Sequence, residues 1–336
     1  MRALLHRRFG NPADVIELVD LPDQPLKSGE IRIRVEASPI HAGDIRNIAG
    51  ERTMVRHPTG GANLEVKLPQ VPGVEGVGRV IERAADVHDV AIGERVFLPI
   101  QCGSWREGIV ADAATIVKAP EGDAVQLSLM INALTADMAL RDILPLRAGD
   151  WIIQNGANSN VGRILIPLAR DRGIRTVNVV RRPELADELT AIGGDVVLAD
   201  GEGLAARVAG ATGGAAIRLA LDCVSGDATS RLAECLADDG TIANYGAMSG
   251  EPCKVAPWML TYKRIALIGY YMGYKRRARS IEEQRVIFGD LAEAIVAGKL
   301  GTPIAATYRL DDYAAAVDHA ARGGTARNGK IVFMLD

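Results

Sequence analysis

Six short apolar runs recur along the middle of the chain, and the amphipathic segments between them restrict the fold more than any other feature. The runs are DWIIQNG (150–156), TVNVV (176–180), DVVLAD (195–200), IRLALDCV (217–224), TIANYG (241–246) and RIALIGYY (264–271). Strands that are apolar at nearly every position belong in a sheet covered on both faces, and helical crossovers between them make that sheet parallel. The pattern predicts a doubly wound α/β domain over residues 126–267, entered through helical spacing of apolar residues between Gln126 and Arg141.

Residues 1–125 have a different texture. IRIRVEAS (31–38), VGRVIE (77–82), RVFLPI (95–100) and IVADAATIVKAP (109–120) are short β-rich runs set between Pro and Gly, as in a compact β unit or partial barrel. Residues 268–336 hold the helical IEEQRVIFGDLAEAIVAGKL, then ATYRLDDYAAAVDHAARG and a terminal strand, NGKIVFML. That is too little for an independent domain, so this part is expected to pack back onto the first, with an active site in the cleft beside the α/β domain.

A formal net charge of −3 gives no electrostatic footprint for nucleic acid. Cys102, Cys223, Cys235 and Cys253 are scattered without a CxxC pair, which indicates neither a zinc ribbon nor a disulfide framework. The N-terminal MRALLHRRFGNPADVIEL lacks a long apolar run, and no segment reaches the ~18 apolar residues of a membrane span. A cytoplasmic protein without membrane contact is expected.

The first apolar run leads into QNGANSNVGRILIPLARDRG. In the dinucleotide fingerprint GxGxxG, the glycines permit a tight turn, let the backbone approach a pyrophosphate, and pack the helix on the strand. Those offsets fall here on Ala157, Ser159 and Gly162, so only the third is glycine. Gly156 and Asn158 supply some of the missing freedom, and Asn160 is of a type that tolerates left-handed angles. Small side chains and free amides at Asn158, Ser159, Asn160, Val161 and Gly162 suit an anion at a helix N-terminus; an ordinary strand-to-helix turn would use the same residues. Nineteen residues after Gly162, where NAD proteins place a carboxylate for the ribose, the chain has Arg181 and then Arg182. Guanidinium groups suit the extra phosphate of NADPH, although two solvated arginines are the plain alternative.

SPIHAGDIRNIAG, VPGVEGVGRV, NALTA, QNGANSNVG, NVVRRPE, NYGAMSGEP and GKIVFML together resemble the zinc-free medium-chain dehydrogenase/reductases, which include quinone reductases. The resemblance is closest to the mitochondrial-type trans-2-enoyl-CoA, or 2-enoyl thioester, reductases and runs through nearly the whole chain. It implies a GroES-like catalytic domain interrupted by a Rossmann domain, NADPH as cofactor, and a homodimer joined through the Rossmann sheets. It also implies hydride transfer to the β-carbon of an enoyl thioester and protonation at the α-carbon. Zinc-dependent relatives use a Cys in the segment matching Ile40 to Asp44 and a His-Glu pair in PGVEGVG. This chain offers His41 and Val74-Glu75 there, and no metal is expected.

One position departs from the family. The enoyl reductases carry a catalytic Tyr that falls on Arg52 here, and a guanidinium stabilises an enolate-like oxygen but is a poor proton donor. His41 and Tyr271 are the other candidates at the reacting end; His41 has the pKa range of a general acid, or is simply a hydrogen-bonded histidine beside a turn. Asn132 and Thr135 are expected near the nicotinamide unless they only cap and pack. Tyr245, Gly246 and Met248 lie after the fifth strand, at the carboxyl edge where such sheets bind cofactors, unless they serve only as a turn. Lys330 is expected to approach the cofactor or else to lie at the surface. The basic run Tyr274 to Arg279 suits coenzyme A phosphates or an acyl carrier protein, or is a solvated face. Three functions follow: an NADPH-dependent enoyl thioester reductase, an NADPH:quinone or enone reductase, and a non-catalytic NADPH-binding sensor.

Overall fold

A computed structural model describes residues 1–51, 67–322 and 329–335. The chain divides into two units, Met1–Ile131 with Ile281–Asp336, and Asn132–Ser280. The divisions fall six and thirteen residues beyond the expected 125/126 and 267/268, respectively. The later one includes the helix Met272–Arg277, because Tyr270 donates to the Thr135 carbonyl at 3.1 Å and Arg279 pairs with Asp142 at 2.6 Å.

The six expected strands form one parallel six-stranded sheet in the second unit. Its spatial order is Val196–Ala199, Arg175–Val180, Trp151–Gln154, Ile217–Asp222, Thr241–Asn244 and Ala266–Gly269. Every residue of Trp151–Gln154 is buried, and only Arg218 is exposed in Ile217–Asp222, as a central strand covered on both faces requires. Ile153, Val177, Ala220 and Ile242 form the core on one face with Leu204, Val208 and Leu232 from the crossover helices. Burying each Val, Leu or Ile of this set contributes about 1.5–3 kcal/mol.

In the first unit the ten-residue strand Glu30–Pro39 is central to a seven-stranded sheet. It pairs antiparallel with Val77–Arg83, Gly108–Asp112 and the terminal Lys330–Met334. The C-terminal segment thus packs back onto the first β unit as expected. Its strand Ile304–Arg309 runs parallel to the terminal strand, joined through the helix Tyr313–Ala321. Trp105 and Phe333 meet edge to face at 5.3 Å in the core of this unit. The helical spacing between Gln126 and Arg141 resolves into a short helix, Ala124–Leu127, and a longer one, Met130–Asp142.

Candidate active site

In the first unit, strand pairing carries the terminal strand past Pro39, and the Ile40 amide donates to the Ile331 carbonyl at 2.9 Å. This register sets Lys330 beside His41, which is the N-cap of the helix Ala42–Ala49. Lys330 Nζ lies 2.9 Å from His41 Nδ1, and His41 Nε2 lies 2.6 Å from Oε1 of Glu75. The other Glu75 oxygen accepts the Ile131 amide at 2.6 Å. Glu75 sits on the loop before Val77–Arg83, where Gly76 lets the backbone come so close that a Cβ would stand 2.5 Å from the Ala37 carbonyl oxygen. Asp44 closes back on the helix start by accepting the His41 amide at 2.9 Å.

Burial governs the electrostatics of this cluster. Desolvation, then the Lys330 charge, lower the His41 pKa to about 3, against a smaller opposing pull from Asp44. Desolvation pushes the Glu75 carboxyl up to about 8, while the Ile131 amide and Lys330 pull it down. Asp44 is also raised by burial. His41 is therefore neutral near pH 7, so its part differs from the charged acid that its ordinary pKa suggests. Arg52 lies outside the described residues.

In the second unit the turn Gly156–Ser159 joins Trp151–Gln154 to the helix Asn160–Asp171. The left-handed angle falls on Gly156 (φ 55°), one residue before the first fingerprint position, so Ala157 is tolerated there. Asn160 opens the helix and needs no left-handed angle. Ser159 is the N-cap, its hydroxyl accepting the Gly162 amide at 3.2 Å. A Cβ on Gly162 would stand 2.6 Å from the Ala157 carbonyl oxygen, so the third fingerprint glycine is required for helix-to-turn packing. Helix first turns leave amides without intrahelical acceptors, here those of Asn160 and Val161.

The neighbouring strand ends are braced by Asp222, which is fully buried. Its Oδ1 accepts from the Asn155 side chain at 2.6 Å and from the Val224 and Ser225 amides at 2.9 Å each. Its Oδ2 accepts from Thr229 at 2.6 Å and Asn244 at 3.3 Å. The Tyr245 phenol is buried near Cys223 and Ser159, and desolvation holds its pKa well above the usual range. Gly246 packs on the strand, where a Cβ would be 2.8 Å from the Cys223 carbonyl oxygen, and the exposed Met248 sulfur lies 3.7 Å from the Cys223 thiol. Burial pushes that thiol up to about 12, which keeps it protonated.

Arg181 is exposed and Arg182 half-buried just past the end of Arg175–Val180, and neither guanidinium is hydrogen-bonded or ion-paired within the described residues. Asn132 is buried, and its side-chain Nδ2 has no acceptor among the described residues. Thr135 uses its carbonyl to hold Tyr270, whereas Tyr271 is 41% exposed and packs edge-on against Tyr274 at 5.3 Å. Glu75 and Asp222 were not singled out as site residues from the sequence. Glu75 was visible only as half of a pair in the zinc comparison, and Asp222 carries no motif of its own.

Residues 160–285 match the family model described as zinc-binding dehydrogenase, and residues 27–121 match the alcohol dehydrogenase GroES-like domain. The residues at His41 do not fit a metal. One ring nitrogen faces Glu75 and the other faces the Lys330 ammonium, whose charge would repel a cation. The mitochondrial enoyl-[acyl-carrier-protein] reductase of Rattus norvegicus is 32% identical over 327 residues, which cover 95% of this chain and 85% of the relative. The native structure of a mycobacterial quinone oxidoreductase is 26% identical with a TM-score of 0.83, covering 99% of both chains. A mycobacterial protein solved in complex with NADPH is 25% identical with a TM-score of 0.81, covering 99% of this chain and all of that one. The chain therefore belongs to the zinc-free medium-chain dehydrogenase/reductases, a family of oxidoreductases.

Proposed function

We propose that the chain reduces the carbon–carbon double bond of a 2-enoyl thioester, carried on coenzyme A or on an acyl carrier protein, with NADPH. The observation that carries this reading is the pairing of a dinucleotide turn, built on Gly156, Ser159 and Gly162, with two uncommitted guanidinium groups at Arg181 and Arg182. The likeness to an enoyl-[acyl-carrier-protein] reductase over nearly the whole chain supports the substrate class. Bound NADPH would supply a hydride to the β-carbon.

In this reading Asn158, Ser159, Asn160, Val161 and Gly162 hold the pyrophosphate at the helix N-terminus. Arg181 and Arg182 take the 2′-phosphate, as planar donors suited to that group. The unsatisfied Nδ2 of Asn132, which costs about 1–3 kcal/mol when left alone, is offered to a ligand carbonyl. Thr135, Tyr245, Gly246 and Met248 complete the nicotinamide side, and Tyr271 and Arg52 serve the acyl group. The exposed Lys275 and Arg277 suit the phosphates of the acyl carrier.

The protein would act as a homodimer. The strand Ala266–Gly269 ends the sheet and is exposed along its length, Leu267 and Ile268 included, and Trp258, Leu260 and Tyr262 of the same unit are exposed as well. An open edge of this kind is closed by pairing with a second copy.

A second reading keeps NADPH and exchanges the acceptor for a quinone or a simple enone. Arg52 in place of the family's tyrosine favours it, as does the likeness to a quinone oxidoreductase. Steady-state rates on crotonyl-CoA, an enone and a quinone at matched NADPH separate the two. A clear preference for crotonyl-CoA is expected, and turnover of the quinone alone would favour the second.

A further inference from the structure

We propose that Arg231 keeps the cofactor site selective for NADPH by binding the Asp200 carboxylate, which would otherwise stand against the 2′-phosphate or take Arg181 for itself; this rests on the NADPH reading above. Val196–Ala199 runs parallel to Arg175–Val180 with Ala199 opposite Val180, and the Asp200 amide donates to the Val180 carbonyl at 2.7 Å. Asp200 and Arg181 therefore leave the sheet side by side, on strands about 4.8 Å apart. A carboxylate at this edge of a sheet is the group that NAD proteins set against the ribose hydroxyls. Here it lies one strand over from the guanidinium groups assigned to the phosphate.

Asp200 is engaged through both of its oxygens. Arg231, from the helix Asp227–Cys235, donates through Nε to Oδ1 and through a terminal nitrogen to Oδ2, at 2.6 Å each. The Gly201 amide adds a third bond, to Oδ1, at 2.9 Å. Bidentate pairing of this kind is among the stronger charged contacts, and both side chains are largely withdrawn from water, at 18% exposure for Asp200 and 27% for Arg231. Arg231 has Asp227 and Glu234 as further negative neighbours on its own helix, yet the side chain it binds is that of Asp200. Asp227 is met instead by Lys254 at 3.1 Å.

A second carboxylate of this region is handled in the same way. Glu188, on the helix Ala186–Ala191 that follows the two arginines, is bound by Arg163 of Asn160–Asp171 at 2.6 Å, while Glu184 and Asp187 are exposed. Arg181 and Arg182 thus stay uncommitted among the described residues although Asp200 stands on the adjoining strand end. Removing Arg231 alone leaves a partly buried carboxylate without its counter-ion. The electrostatic cost then falls on the extra phosphate of NADPH and spares the ribose hydroxyl of NADH.

Fluorescence titration of NADPH and of NADH on the same protein tests this, because the ratio of the two Kd values is insensitive to any loss of folded material. The wild type is expected to prefer NADPH. Arg231→Gln should cut that preference by roughly 10- to 30-fold, with weaker NADPH binding and unchanged or tighter NADH binding. Adding Asp200→Asn to Arg231→Gln should return the ratio to within about threefold of wild type, since the charge to be neutralised is then gone. A ratio unmoved by Arg231→Gln, with or without equal losses for both cofactors, is what a purely structural ion pair gives and would overturn the selective role. A double variant as poor as Arg231→Gln alone would assign the phosphate contact to Arg231 itself and overturn the neutralising role. A wild type that binds NADH as tightly as NADPH would instead refute the NADPH reading, an outcome seen before any variant is made.

Discussion

Lys330 and His41, 289 residues apart in the chain, meet at 2.9 Å between Nζ and Nδ1. The contact depends on the terminal strand pairing with Glu30–Pro39, and it puts an uncharged imidazole between an ammonium and a buried carboxyl.

This burial makes stability depend on pH in two opposite senses. His41 falls from 6.5 to about 3 in the folded state, so over that window the unfolded chain binds a proton that the folded chain does not. Stability then drops on acidification, by at most about 5 kcal/mol. Glu75 rises from 4.5 to about 8, so its contribution is complete below 4.5 and is lost as pH rises through 8. A stability maximum between about pH 4.5 and 6.5 is expected in denaturant melts. His41→Asn should lift the acid arm and Glu75→Gln should flatten the alkaline arm; a wild type with flat stability from pH 8 to 4 would show that neither group is buried as described.

Gly162→Ala forces a Cβ into contact with the Ala157 carbonyl oxygen at 2.6 Å. Overpacking of this kind costs about 1–3 kcal/mol and pushes the helix start off the turn. NADPH binding measured by fluorescence titration should weaken by about tenfold or more, consistent with one or two kcal/mol of lost interaction. Unchanged affinity would remove the turn from the cofactor site.

Arg181→Ala should lower kcat/KM for NADPH by roughly 10- to 100-fold, the worth of a charged hydrogen bond to phosphate, and leave NADH little affected. Equal losses with both cofactors would indicate that Arg181 does not face the 2′-phosphate.

Asp222→Ala removes the acceptor for Asn155, Val224, Ser225, Thr229 and Asn244 together. Buried donors left alone make a loss of about 3–5 kcal/mol the expected result in chemical denaturation, with Asp222→Asn losing less. A loss below about 1 kcal/mol would mean that the strand ends are held by other contacts.

Ile268→Glu places a charge on the exposed edge of the sheet. Sedimentation should show a dimer for the wild type and a monomer for the variant. A dimer in both would assign the contact to another surface.

The parallel sheet was legible because its strands are apolar at consecutive positions, a pattern only a two-sided core explains. The third fingerprint glycine was legible for the same physical reason that the structure shows at Gly162. The position of the left-handed turn was not, because Gly156 takes over from a glycine one residue later and composition does not reveal which residue bears the angle. Lys330, His41 and Glu75 were each visible as residues, but their contact was hidden: it depends on a strand pairing between the two ends of the chain and on the close approach at Gly76. Tyr271 and Asn132 gained surroundings from the structure, one exposed against Tyr274 and the other buried with an unmet donor.

The most direct test of the proposed activity follows the hydride. NADPH deuterated at the transferable C4 position would be incubated with crotonyl-CoA and the acyl product analysed by NMR and mass spectrometry. One deuterium at C3 of butyryl-CoA, with a solvent-derived proton at C2, is the expected result. Recovery of unreduced crotonyl-CoA, under conditions in which NADPH is oxidised by a quinone, would contradict it.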